Sequence, residues 1–291
     1  MYTASDLTPV ELRNGMHYKR DDLLRDPAGP NGSKYRACRH LLTQAMARGY
    51  DHVVTAQATA SPQSSICATL AAELGMKCTV VVGASKPATA VLHPNIAIAM
   101  RANAQLDTGC RVAYNGTLQP YARALAERLG AYQLPYAISV PAIAPEEDVR
   151  AFLQVGAVQT MNLPDEIETL VIPFGSGNTA AGVLYGLRDW GPAALQRVVL
   201  MGIGPDRQDW LHRRMQVVGR PVVPAGVTLE HIPLHPHFAV YSDRMPETED
   251  GITFHQIYEG KCIRWLNTVQ PEWWIRRDDT TCFWIVGGPV S

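Results

Sequence analysis

Short β-branched runs alternate with helical stretches of about ten residues, and this alternation limits what the chain can fold into more than any other feature. Residues 51–56 (DHVVTA), 77–82 (KCTVVV), 168–173 (ETLVIP), 198–203 (VVLMGI) and 281–286 (TCFWIV) read as strands. Residues 64–74, 96–106 and 119–129 read as helices, and another opens at 179–187, with Gly75 and Gly130 placed as helix stops. Strands of this length interleaved with helices predict an α/β fold, a mostly parallel sheet covered on both faces. The last strand comes from the C-terminus, so a sheet that recruits it would place the C-terminal stretch from about residue 221 and the region before it around one cleft. The expected division is a large domain of residues 1–54 and 140–291 with a smaller α/β domain, 55–139, inserted in it.

Composition narrows the function classes. The chain has 291 residues, Lys plus Arg is 26, Asp plus Glu is 27, and the net charge is -1. That balance disfavours a protein whose main work is gripping nucleic acid or an anionic membrane, so no membrane contact is expected and nucleic acid is a weak candidate partner. Charged residues are 18%, below the roughly 25% of an ordinary soluble domain, which fits extensive burial within the fold or between subunits. No apolar run approaches the roughly 18 residues of a membrane span, and residues 1–6 lack a secretory pattern. Six cysteines without a CxxC pair read as reduced thiols in a cytoplasmic protein, with no metal site.

Three motifs carry chemistry. Gly175-Ser176-Gly177-Asn178-Thr179 follows a strand and opens a helix, where backbone N–H groups converge on an anion, normally a phosphate. A plain strand-to-helix turn is the bland alternative. Lys19-Arg20-Asp21-Asp22-Leu23-Leu24 precedes Asn31-Gly32-Ser33-Lys34, and a lysine at a helix start is an amine suited to Schiff-base chemistry. A solvated charge is the alternative there. Ala60-Ser61-Pro62-Gln63-Ser64-Ser65 lies between a strand and a helix, where hydroxyls and backbone donors hold a carboxylate or simply cap the helix.

In order and spacing, KRDDLL, NGSK, ASPQSS, GSGNTAAGV, IYEGK and FWIVGG resemble the fold type II (tryptophan-synthase-β-like) pyridoxal-phosphate (PLP) enzymes, most nearly the branch of 1-aminocyclopropane-1-carboxylate (ACC) deaminase and D-cysteine desulfhydrase. The resemblance implies two open, twisted, mostly parallel sheets, a PLP cleft between a large and a small domain, and a homodimer. It makes Lys34 the Schiff-base lysine and assigns the cofactor phosphate to Gly175, Ser176, Gly177, Asn178 and Thr179. Ser61, Gln63 and Ser64 match the loop that binds the substrate carboxylate, with Ser61 also counted among the catalytic residues. Tyr258 matches a tyrosine against the substrate, Glu259 an acid near the pyridine nitrogen, and Tyr241 a second active-site tyrosine.

The departures matter as much. Pro62 stands where the family has an asparagine that bonds the cofactor's 3-hydroxyl, and proline offers neither side-chain donor nor N–H. Val286 stands where the family has a polar group at the ring nitrogen, which leaves Glu259 as the matched partner. The segment between Tyr241 and Tyr258 is short for the family. The leading expectation is therefore a PLP-dependent lyase or deaminase acting at the α-carbon of an amino acid by deprotonation, elimination, deamination or rearrangement. Two alternatives stand beside it. One is the same chemistry on an amino-acid group attached to something larger, such as a hypermodified DNA base of a phage; the other is an inactive relative.

Overall fold

The computed structural model describes residues 7–27, 29–83, 87–141, 143–238, 243–271 and 274–289. The chain divides into two compact units, Met1–Leu24 with Ile143–Pro289, and Arg25–Ala142. The first boundary thus falls well before residue 54. The reason is strand pairing: β3 (His52–Ala58) hydrogen-bonds only to strands of the inserted unit, and α1 (Ser33–Ala47) packs on α2 (Gln63–Glu73) of that unit. The second boundary lies three residues beyond 139.

The first unit is built on a six-stranded sheet. A hairpin of β1 (Val10–Arg13) and β2 (Met16–Arg20) leads to β12 (Thr281–Ile285), β7 (Thr169–Phe174), β8 (Arg197–Gly202) and β9 (Thr228–Pro233), in that spatial order. Every pair except the hairpin is parallel. The C-terminal strand does enter the middle of the sheet, between β2 and β7. Helices α6 (Glu146–Ala157), α7 (Asn178–Trp190), α8 (Gln208–Val217) and α9 (Glu259–Thr268) belong to this unit, with a two-stranded ribbon of β10 (Thr248–Glu249) and β11 (Ile252–Thr253). Tyr18, Val171, Val199, Phe254, Ile263 and Phe283 form its main core.

The KRDDLL motif turns out to be scaffolding here. The Lys19 ammonium is fully buried and donates to the Thr8 carbonyl (2.7 Å) and to Asn162 Oδ1 (2.6 Å). Asp21 accepts from Thr8 Oγ1 (2.8 Å) and from the Trp284 indole N–H (3.0 Å), which ties the first strand to the last. Such a polar group is tolerated in the interior because its hydrogen bonds are supplied.

The inserted unit holds a four-stranded, all-parallel sheet, β5 (Gln105–Asp107), β4 (Lys77–Gly83), β3 and β6 (Tyr132–Gln133). Its helices are α1, α2, α3 (Pro87–Ala90), α4 (Pro94–Arg101) and α5 (Asn115–Leu129). The helix expected over 96–106 ends at Arg101: Asn103 turns left-handed (φ 62) and residues 105–107 become strand. Asparagine is among the few residues that adopt that conformation readily. All six cysteines are buried and free. No helix among the described residues is long and apolar enough to cross a membrane.

Candidate active site

In the first unit the site begins where β7 ends. Phe174 hands over to Gly175-Ser176-Gly177, and α7 starts at Asn178, so its first amides open onto the loop. Gly177 is left-handed (φ 87), and a Cβ there would lie 2.8 Å from the Trp210 ring. Glycine is therefore required at this position by both backbone and packing. The Tyr258 ring lies next to the loop, its Cε1 3.7 Å from where a Cβ on Gly175 would be. His255 packs on Tyr258 with ring centroids 4.8 Å apart.

Tyr258 is the N-cap of α9, which makes Glu259 the first residue of that helix. Glu259 is fully buried. Its Oε1 accepts from the backbone N–H of Val286 (3.0 Å) and of Gly287 (3.1 Å), while Oε2 has no partner among the described residues. Burial pushes its carboxyl up to about 8, against the lowering effect of backbone donors from its own amide, Gly287 and Val286. Val286 thus acts through its amide, as a holder of Glu259.

In the inserted unit, Lys34 is the second residue of α1, after the left-handed Gly32 (φ 89). The chain has five lysines. Lys19 is locked in the scaffold, Lys77 pairs at the surface with Asp51 (3.5 Å), and Lys261 is buried beside the Phe238 ring. Lys86 lies outside the described residues. Lys34 is the half-buried lysine at a helix start.

The 60–65 turn has two characters. Ser61 lies just before Pro62, the N-cap of α2, its Oγ accepting from the Gln63 amide (3.3 Å). Ser64 is fully buried, and its Oγ has no partner among the described residues. Gln63 differs from expectation. Its side chain turns inward, donating to Thr55 Oγ1 (3.0 Å) and the Pro135 carbonyl (3.3 Å) and accepting from Gln57 (3.1 Å). Both of its N–H donors are spent, so the side chain is a brace for the turn. Asn95 on α4 is a second brace that the sequence did not single out. It donates to the Ala60 carbonyl (3.2 Å), and its Oδ1 accepts from Ser65 (2.9 Å). Tyr241 lies outside the described residues. No group of three or more His, Cys, Asp or Glu suited to a metal ion occurs among the described residues.

These features fit pyridoxal phosphate. A buried carboxyl held at one oxygen by two amides and unpartnered at the other suits a pyridine nitrogen, and a glycine loop at a helix start suits a phosphate.

Comparison with known proteins agrees. An ACC deaminase homologue superposes with a TM-score of 0.70 at 21% identity, covering 94% of this chain and 85% of that one. The chain has the fold of the type II, tryptophan-synthase-β-like, PLP-dependent enzymes and is similar to them in sequence. It is 27% identical to the O-seryl-dTMP PLP-dependent decarboxylase of Salmonella phage ViI over 347 aligned positions, covering 96% of this chain and 81% of that protein. It is also 31% identical over 180 residues to a Pyrococcus abyssi protein assigned to ACC deaminase, covering 60% of this chain and 52% of that protein. No family model matches.

Proposed function

We propose that this chain is a PLP-dependent enzyme that acts at the α-carbon of an amino-acid group carried on a pyrimidine nucleotide. The observation that carries the PLP chemistry is Glu259, buried, held at one oxygen by the Val286 and Gly287 amides and unpartnered at the other. The similarity to the phage decarboxylase over 96% of the chain supports the nucleotide-borne substrate. It also adds decarboxylation, which the motifs did not suggest, to the reactions considered.

When bound, the cofactor supplies an electron sink for the pair left on the α-carbon when one of its bonds breaks. The chain's own residues do the rest. The Lys34 amine would be the group that holds the cofactor, and it would move a proton at the substrate α-carbon. The loop from Gly175 to Thr179 holds the phosphate with backbone N–H groups and the start of α7. Glu259, with its Oε2 unpartnered among the described residues, would hold a proton toward a ring nitrogen placed there. Ser61, Ser64 and the first amides of α2 orient the substrate carboxylate. Tyr258, beside the phosphate loop, faces the reacting end of the substrate.

A second reading, a free small amino acid as substrate, is favoured by the YEGK match and by the likeness to the ACC deaminase homologue. The two are separated by product analysis on the holoenzyme. Release of carbon dioxide from O-seryl-dTMP, with no ammonia from free amino acids, is expected. Ammonia from D-cysteine or ACC, with no turnover of the nucleotide adduct, would establish the second reading instead.

A further inference from the structure

We propose that the connection from β5 to α5, residues 108–114, is the platform for the nucleotide part of the substrate, with Tyr114 stacking on the base and Arg111 meeting the phosphate. This rests on the nucleotide-borne substrate proposed above. All the evidence for it lies within the inserted unit.

That unit's sheet is wholly parallel, so the carboxyl ends of its strands share one edge, where ligands of open α/β sheets bind. The turn bearing Ser61 and Ser64 leaves β3 at this edge, and the 108–114 connection leaves β5 there. The two are brought together by Gly83, the last residue of β4. Gly83 pairs in register with Ala58, where the Ser61 turn begins. A Cβ on Gly83 would lie 2.8 Å from the Val112 carbonyl oxygen and 2.9 Å from the Ala113 Cα, so the connection rests directly on this glycine. Neighbouring strands are about 4.8 Å apart, so the connection and the carboxylate turn are adjacent at the scale of one short linker.

The connection is held in place, yet its functional side chains face outward. Asp107 Oδ1 accepts from the Gly109 amide (2.9 Å) and from the Tyr121 hydroxyl of α5 (2.8 Å). Cys110 is buried beneath the loop, its thiol 3.4 Å from the Val112 carbonyl. Tyr114 is 72% exposed. Its ring nevertheless lies on Gly116 in the first turn of α5, with Cε1 2.5 Å from where a Cβ would be. An aromatic ring already fixed in orientation loses little entropy when a base stacks on it. Arg111 is exposed and makes no ion pair among the described residues. Its guanidinium suits a phosphate oxygen.

The test is calorimetric titration of the holoenzyme with dTMP, with thymidine, and with a single-stranded oligothymidylate. Wild type is expected to bind dTMP, Tyr114→Ala to bind it at least tenfold more weakly, and Tyr114→Phe to bind within about twofold of wild type, since a phenyl ring also stacks. Arg111→Ala is expected to weaken dTMP several-fold and thymidine little. Cofactor content should match wild type in every variant. Tighter binding of the oligonucleotide, still lost in Tyr114→Ala, places the same contact on a nucleotide within DNA. If Tyr114→Ala binds dTMP as wild type does, or loses binding together with a change in oligomeric mass, the platform is wrong while the nucleotide-borne substrate survives. If wild type binds neither dTMP nor the oligonucleotide, yet free serine changes the holoenzyme's visible spectrum, the nucleotide reading itself fails.

Discussion

Glu259 shows how position within the fold sets a side chain's chemistry. A carboxyl at the start of a helix, with two amides on one oxygen, would ordinarily ionise easily. Complete burial outweighs these donors and pushes it up to about 8 from 4.5. Below 4.5 the folded and unfolded chains both carry the proton, and between 4.5 and about 8 only the folded chain keeps it. The contribution to stability is therefore fully present at low pH and is lost as pH rises through about 8. Thermal melts of the cofactor-free protein should show Tm declining from pH 5 to pH 8 more steeply in wild type than in Glu259→Gln, which has no proton to lose. In the holoenzyme, Glu259→Gln should retain cofactor and lower kcat by about 10² or more, because a carboxamide cannot hold a proton at the ring nitrogen. Unchanged kcat would remove Glu259 from the chemistry. In the sequence this residue was legible only through the YEGK match. The Val286 and Gly287 amides that hold it were not, because backbone donors carry no residue signature.

Two strand-to-helix turns do the positioning at the level of elements. In the first, Gly177 combines a left-handed backbone with a 2.8 Å approach to Trp210. Gly177→Ala should cost about 1–3 kcal/mol of stability and weaken cofactor affinity at least tenfold. Adding Trp210→Ala should relieve the contact without relieving the backbone, so the double variant should recover only part of the loss, as read by denaturant melts and cofactor titration. In the second turn, Asn95 joins the Ala60 carbonyl to Ser65. Asn95→Ala should cost about 1–2 kcal/mol and raise KM for the amino-acid substrate with little change in kcat, since it loosens the turn without touching the reacting atoms. A fall in kcat with KM unchanged would contradict that role. These turns were visible as glycine- and serine-rich breaks between periodic segments. Which of their side chains face inward was not visible: the Gln63 side chain reads as a carboxylate binder in the sequence, while in the structure it bonds to Gln57, Thr55 and the Pro135 carbonyl within the unit. The helix expected over 96–106 failed for a related reason, because a single left-handed Asn103 ends it and apolar periodicity does not report that.

For the whole molecule, alternation of strands and helices fixed the α/β class, and the order of six motifs pointed to the fold that comparison shows. The division into units was less legible. Residues 25–54 read as part of the large domain, since a helix and a strand look alike whichever sheet they join; only the pairing of β3 with β4 and β6 assigns them to the inserted unit. The same limit applies to the lysines, which composition treats as equivalent; among the described ones Lys19 and Lys261 are buried, Lys77 is at the surface and Lys34 is half-buried at a helix start. The central claim, a PLP enzyme working through Lys34, is tested most directly by reducing the PLP-loaded protein with borohydride and mapping the modified peptide by mass spectrometry. The account predicts one pyridoxyl group per chain, on Lys34, and a colourless, unmodified protein in Lys34→Ala. Modification at Lys19, Lys77, Lys86 or Lys261, or none at all under conditions where PLP is in excess, would contradict it.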